Sequence, residues 1–233
     1  MEVKIINEQE VFTVNSSLTV QSKNIGKYKI AIADNFYKNP EMVRELILTI
    51  PSTNNEKHKG GMVGRRVEAY YDLSPLADPF HKILTNLWDY TKNWSYDAIY
   101  EMFKQSSFIG NIMNEEMLES RTPHQDGPIT FPKQFIPSHT GFASSIYLNT
   151  PEECSGGTAL YTYKGEQSPL QMPKQSVDHF ITESEGDWEK IGLIEMKWNR
   201  MVIYNNFILH TPYIKQGMGF TGNIYRINQI IFP

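Results

Sequence analysis

At residue 105 the apolar pattern of this 233-residue chain changes period, and that single change confines it to few architectures. Before that point two stretches keep helical spacing. Asn39-Pro40 opens the first, with Met42, Val43, Leu46, Ile47 and Ile50 on one stripe and Pro51 as its stop. The second starts near Ser74-Pro75 or Asp78-Pro79 and runs through FHKILTNLWDYTKNW, with Phe80, Ile83, Leu84, Leu87 and Trp88 in step. Beyond residue 105, SSFIGNIMN, GFASSIYLN, GTALYTYK, RMVIYNNFILH and NIYRINQIIF alternate as strands do. Turn residues separate them: the Pro-rich FPKQFIP, Ser155-Gly156-Gly157, and Gly217, Gly219 and Gly222.

Shorter signals complete the layout. Alternating runs within residues 1 to 35 (VKII, VFTV, KYKIAIAD) predict strands ahead of the first helix. Residues 52 to 66 are polar and Gly-rich and predict a loop. Residues 165 to 197 interrupt the strands with a polar stretch ending in DWEKIGLIEMKW, read as an insertion or lid with room for a short helix. Helices first and strands afterwards predict an α+β fold, mainly β, with helices backing one sheet of a two-sheet barrel. No linker interrupts the chain. The expectation is one domain over 1–233: N-terminal strands and supporting helices over 1–105, and a β core over 106–233 with the insertion at 165–197.

Composition excludes several function classes. A net charge of -4 and a pI near 5.9 offer no general attraction to nucleic acid. The single cysteine, Cys154, rules out an internal disulfide and suits a reducing compartment. The opening MEVKIINEQEVFTV lacks a basic region followed by an apolar core, and no apolar run has the length to cross a bilayer. A cytoplasmic location, with neither membrane nor nucleic-acid partners, is the expectation.

Three residues carry the chemistry. His124 and Asp126 stand as His-x-Asp in TPHQDG, and His210 stands alone in NFILHTPY. By itself the pair says little: six His and 26 acidic residues give roughly 0.7 such pairs in random order. Placement says more. Residues i and i+2 of a strand share a face, so both can reach one metal, and His210 ends another predicted strand. Pro123 and Pro212 stiffen the two ligand segments. Two imidazoles and one carboxylate form the facial triad that holds Fe(II) and leaves three positions open, enough for a bidentate 2-oxo acid and O2. His58, His81, His139 and His179 have no patterned partner and read as ordinary surface or hydrogen-bonded histidines. Farther on, Arg226 shares a strand face with Ile224, Asn228 and Ile230. A guanidinium turned into a barrel is costly unless an anion meets it, and a dicarboxylate would meet it as a bidentate pair.

On these residues the chain resembles the Fe(II)/2-oxoglutarate-dependent oxygenases. ASSIYLNTPEECSGGTALYTYK is similar to the stretch after the proximal ligands in their prolyl 4-hydroxylase-like members, and KWNRMVIYNNFILHTP to the strand that delivers the distal His. DNFYKNPEMVRELIL resembles the opening helix of a bacterial and phage branch whose substrates are largely unassigned. The resemblance spans roughly residues 30 to 233. It implies a double-stranded β-helix (jelly-roll, cupin-like) core and an enzyme that oxidises its substrate with O2 while 2-oxoglutarate becomes succinate and CO2. It further implies iron on His124, Asp126 and His210, and the distal carboxylate of 2-oxoglutarate on Arg226. Tyr147 would donate its hydroxyl to that carboxylate, and Asn111 and Asn228 would complete the pocket. Two departures stand out. Prolyl 4-hydroxylases usually carry Lys at the place of Arg226, and the usual small hydroxyl residue two positions later is Asn228. Radical halogenases of this fold usually lack the carboxylate that Asp126 supplies, so hydroxylation or another oxidation, and not halogenation, is the expected outcome.

For substrate, an amino acid, a peptide or a similar small metabolite is expected. Arg65 and Arg66, beside Lys57, His58 and Lys59 around Gly60-Gly61, are the candidate contacts to a substrate carboxylate from a closing loop. The competing reading is a cupin-like metal-binding protein (lyase, isomerase or sensor) without oxygenase activity. Such a protein keeps the triad but needs no inward Arg226, so binding of 2-oxoglutarate separates the two.

Overall fold

A computed structural model of the chain describes residues 6–52, 64–118, 121–126, 141–167 and 177–231. Most of the expected VKII strand therefore lies outside the described residues. The VFTV run does not form a strand. Val11 closes a one-turn helix, α1 (Glu8–Val11), because the Asn7 side chain caps it by accepting from the Glu10 N–H. β1 (Thr19–Ile25) and β2 (Tyr28–Asp34) then pair as an antiparallel hairpin.

α2 (Pro40–Thr49) starts on its proline, and Ile50, extended at ψ 129, ends it before Pro51. Its stripe buries Val43, Leu46 and Ile47, each contributing about 1.5–3 kcal/mol. β3 (Arg65–Tyr70) claims the last two residues of the expected 52–66 loop, and residues 53–63 lie outside the described residues. α3 (Ala77–Leu87) follows a short 3-10 turn at Ser74–Leu76. α4 (Tyr96–Gln105) is an addition to the expected elements, although its signals are present in the sequence. The Ser95 hydroxyl accepts from the Ala98 N–H at 3.1 Å, and Ile99, Met102 and Phe103 fall on one buried face.

The remaining strands are β4 (Ser107–Met113), β5 (Phe142–Tyr147), β6 (Gly157–Tyr163), β7 (Trp188–Glu195), β8 (Arg200–Asn205), β9 (His210–Tyr213) and β10 (Arg226–Ile231). Two of them correct the sequence reading. The end of the 165–197 insertion is β7, a strand laddered to β6 from Gly157↔Glu195 to Tyr163↔Trp188, with no helix in its described part. Pairing decides here over local pattern. The run RMVIYNNFILH is two strands. Asn205 folds it: its side chain accepts from the Phe207 N–H at 2.9 Å and its carbonyl from the Ile208 N–H at 3.0 Å. This turn carries the chain from one sheet to the other, so His210 opens β9 instead of ending β8.

The protein is mainly β with a helical layer. Seven strands form one sheet in the order β1-β2-β8-β5-β10-β4-β3, and three form a second in the order β7-β6-β9. All these pairings are antiparallel. A lone bridge between His124 and His210 adds the 121–126 segment beside β9. One core cluster lies between the large sheet and the helices and includes Ile47, Phe80, Phe103, Ile146, Ile203 and Ile227. A second lies between the sheets, with Met113, Tyr147, Val202 and Tyr204 from one and Leu160 and Ile194 from the other. In the Ser155-Gly156-Gly157 turn, glycine is required. A Cβ on Gly156 would sit 2.0 Å from the Tyr213 carbonyl oxygen, and one on Gly157 2.0 Å from that of Ile194.

Candidate metal centre

The 121–126 segment is pinned at three places. Arg121 exchanges backbone hydrogen bonds with His179 and Ile181, His124 with His210 at 3.0 and 2.9 Å, and the Asp126 N–H reaches the Asn206 carbonyl at 2.9 Å. These bonds set both proximal residues against the strand that brings His210. Nε2 of His210 lies 3.3 Å from Oδ2 of Asp126, and Nε2 of His124 lies 3.7 Å from Oδ1. The two imidazoles tilt against each other with centroids 4.4 Å apart. One ligand atom from each of the three residues falls within 4.8 Å of the other two, close enough to hold one metal ion.

The donor set fits a metal on further grounds. Nδ1–H of His210 donates to the Ile208 carbonyl at 2.9 Å, which leaves the Nε2 lone pair for the centre. The other nitrogen of His124, Nδ1, is buried with no protein partner. Burial holds His124 well below the usual imidazole range, with His210 and Arg121 adding to the shift, so it stays neutral. Burial pushes Asp126 upward, but the two histidines and Arg121 outweigh it and keep the carboxyl ionised. Neutral nitrogen donors beside a carboxylate are what a divalent cation requires.

The four expected cosubstrate residues all belong to the inter-sheet face. In the ladders Asn228 of β10 stands opposite Asn111 of β4 on one side and Tyr147 of β5 on the other. Arg226 lies two residues along on the same strand and is 2% exposed. Its guanidinium donates to Asn228 Oδ1 at 2.5 Å and to the Gly157 carbonyl at 3.4 Å, and it lies 5.6 Å from the Tyr147 ring centre. Its Nε has no partner, and no acid among the described residues pairs with it. Burial lowers its pKa, and only the phenols of Tyr147 and Tyr204 oppose that. Asn228 in turn donates to Ser145 Oγ at 2.9 Å. The Tyr147 hydroxyl shares a 2.7 Å hydrogen bond with Thr158 across the sheets.

Arg65 and Arg66 part company because β3 is a strand. Arg66 stands opposite Asn111 and so shares its face, with Glu68 3.4 Å away. Arg65 stands opposite Ile112 on the helix side, its guanidinium 4.9 Å from the centre of the Tyr225 ring. The closing loop expected for the pair falls largely on residues 53–63, outside the described residues, as do His58 and His139. The other unpatterned histidines are ordinary: His81 meets the Trp94 carbonyl, and His179 sits between Asp178 and Glu185.

Two residues near the centre escaped the sequence reading. Tyr204 is buried, its ring edge-on to His210 with centroids 5.0 Å apart, and burial, Asp126 and Tyr147 raise its pKa well above the phenol range. It belongs to the same inter-sheet cluster as Tyr147. Arg121 sits at the head of the ligand segment. Only their strand positions hinted at either: Tyr204 keeps the inward phase of Val202, and Arg121 precedes His124 by three residues.

A family model described as a family of unknown function, DUF6445, matches residues 163–225. The match takes in β7, β8, β9 and His210, and it stops one residue short of Arg226. No curated protein matches the chain. No helix among the described residues is long and apolar enough to cross a membrane.

Proposed function

We propose that the chain is an Fe(II)/2-oxoglutarate-dependent dioxygenase that hydroxylates an amino acid, a peptide or a related small metabolite. The observation that carries this reading is the pairing of a His-Asp-His cluster with a buried Arg226 across the same inter-sheet space, where no acid among the described residues pairs with that arginine. A metal-binding module needs the first and has no use for the second.

The strand order supports a double-stranded β-helix. Eight segments run from β4 through 121–126, β5, β6, β7, β8 and β9 to β10. The first pairs with the last (β4 with β10), the second with the seventh (His124 with His210), the third with the sixth (β5 with β8) and the fourth with the fifth (β6 with β7). That is a long hairpin rolled into two facing sheets, the jelly-roll arrangement.

Spacing supports the cosubstrate. Leu160 of β6 stands opposite His210, and Gly157 of β6 accepts from Arg226. Three residues of strand put about 10 Å between those levels, a span that an extended five-carbon dicarboxylate bridges from metal to guanidinium. When bound, the iron and 2-oxoglutarate would supply the oxidising chemistry for O2. The protein's own residues do the rest. His124, Asp126 and His210 would hold the metal. Arg226, itself held by Asn228, fixes the distal carboxylate and sets the cosubstrate's direction. Tyr147 and Tyr204, buried in the same inter-sheet cluster, would line the cosubstrate's space and exclude water, and the Tyr204 hydroxyl would be a donor to the bound acid.

Calorimetry tests the reading. 2-Oxoglutarate titrated into protein loaded with Mn(II) in place of Fe(II) is expected to bind at micromolar levels, and succinate, which cannot chelate through a keto oxygen, far more weakly. Equal and weak binding of both acids would overturn the oxygenase assignment and leave the cupin-like metal protein.

A further inference from the structure

The inter-sheet face of β5 and β8 runs as a series of rungs. Tyr147 marks the Arg226 end, with the guanidinium 5.6 Å from its ring centre. Ser145 opposite Val202 comes next, then Ala143 opposite Tyr204, whose ring meets His210. One further rung follows. The Asn206 N–H donates to the Gly141 carbonyl at 3.1 Å, which carries the pairing past Phe142↔Asn205 and gives Gly141 and Asn206 the facing of Ala143 and Tyr204. A Cβ on Gly141 would lie 2.4 Å from Asn206 Nδ2, so the side chain crosses that glycine. The rung stands about 7 Å past Tyr204, in the direction that leads away from Arg226. Hydrogen bonds tie it to the centre: the Asn206 carbonyl accepts from the Asp126 N–H at 2.9 Å, and the Phe207 carbonyl from Gln125 Nε2 at 2.8 Å. Asn206 is 1% exposed, and its Oδ1 is buried with no hydrogen bond among the described residues. An amide oxygen buried unpaired is costly, and beside a metal centre it is a contact that a ligand completes.

We infer that Asn206 Oδ1 accepts an amide N–H of the substrate, so that the site oxidises a molecule that carries an amide, as a peptide does. This rests on the oxygenase reading and narrows its substrate class. The donor it suits is neutral. Asn206 brings no charge, and Asp126 beside it is committed to the metal, so a buried ammonium would lack a counter-ion there. An amide N–H needs only the acceptor. Arg226 and Asn206 then serve two molecules from the two ends of one face, the cosubstrate and the substrate, with the His210 level between them.

The probe is N-methylacetamide, with N,N-dimethylacetamide as the analogue that has no N–H. Full-length protein is loaded with Mn(II) and 2-oxoglutarate, and the relaxation of the probe's N-methyl protons by the paramagnetic ion is followed by NMR. The wild type is expected to hold N-methylacetamide about tenfold more tightly than the dimethyl analogue. Asn206→Leu, close in size but without the acceptor, should bring that ratio to about one. Gly141→Ala should do the same by pushing the Asn206 side chain aside, and it decides the matter if Asn206→Leu fails to fold. Asn206→Asp, which keeps an acceptor, should keep the preference. A wild-type ratio near one overturns the proposal, and that is the result expected if a residue of 127–140 or an internal water occupies Oδ1. A preference that survives in Gly141→Ala and Asn206→Leu overturns it too, as does methylammonium bound more tightly than N-methylacetamide. Calorimetry on the same samples keeps the two readings apart. Failure of the wild type to bind 2-oxoglutarate sinks the oxygenase assignment, whereas the amide ratio judges Asn206 alone.

Discussion

Arg200 and Arg226 lie on the same sheet, two strands apart, and live opposite lives. Arg200 of β8 meets Asp34 through Nε at 2.6 Å and Nη2 at 3.1 Å, and Lys197 reaches the same carboxylate at 2.8 Å. Every charge in that corner has its partner within the fold. Arg226 of β10 is more deeply buried and has only a neutral amide and a carbonyl to face. A fold that holds a guanidinium this way gives up stability at that point. The difference separates a cation that serves the architecture from one that awaits a ligand.

The largest effect should come from the centre itself. His210→Ala is expected to weaken Co(II) or Fe(II) binding on the order of a thousandfold by calorimetry, because one of three protein ligands goes. Next come the two arginines, exchanged in turn for Met. Arg226→Met should cost about a hundredfold in 2-oxoglutarate affinity, yet leave the ligand-free protein as stable as before or about 1–3 kcal/mol more so. Arg200→Met should do the reverse: unchanged 2-oxoglutarate affinity, and a loss of about 1–3 kcal/mol as Asp34 loses its two bonds from the guanidinium and keeps only Lys197. If both substitutions destabilise alike in denaturant melts, the contrast between them is wrong.

A pH series sharpens the same comparison. The Asp34 carboxyl is lowered to about 2, first by its hydrogen bond to Arg200 and then by Lys197. A depressed acid stabilises the fold above its unfolded value near 3.8 and loses that contribution as pH falls toward 2. The wild type should therefore lose about 2 kcal/mol across that window relative to Asp34→Asn, which shows no such step. The smallest effect concerns the link between the distal ligand and Arg226. Glu115 accepts from the backbone N–H groups of Gly217, Gly219 and Phe220 at 2.7, 2.8 and 3.0 Å, and so ties down the connection from β9 to β10. Glu115→Gln is expected to lower hydrogen-exchange protection there by about tenfold, with little change elsewhere.

Strand by strand, the part of the chain that alternates cleanly is legible in its sequence. β4, β5, β6 and β10 fall where the period-two runs lie, and α2 and α3 carry most of the expected stripes. α3 ends at Leu87, with Trp88 extended and a 3-10 turn at Asp89–Thr91 where the pattern predicts helix on to Trp94. The failures share a cause. VFTV, the long RMVIYNNFILH run and the insertion suggest their form by local pattern alone. Their fates are settled by an Asn7 cap, an Asn205 turn and a ladder to β6. The site divides the same way. His124, Asp126, His210 and Arg226 are visible because their residue types are costly to bury without a purpose. Tyr204 and Arg121 are not, since a tyrosine in a core strand and an arginine in a connecting segment look ordinary until their neighbours are known. The opposite facing of Arg65 and Arg66 depends on β3 starting at residue 65, which composition alone places in a loop.

The central claim is that the triad and Arg226 hold one cosubstrate between them. The most direct test is an anaerobic titration of the protein with Fe(II) and then 2-oxoglutarate, followed by visible absorption. The account predicts a metal-to-ligand charge-transfer band that saturates with 2-oxoglutarate, disappears in His210→Ala and needs far more 2-oxoglutarate in Arg226→Met. Bound Fe(II) with no such band, or a band indifferent to Arg226, would contradict it.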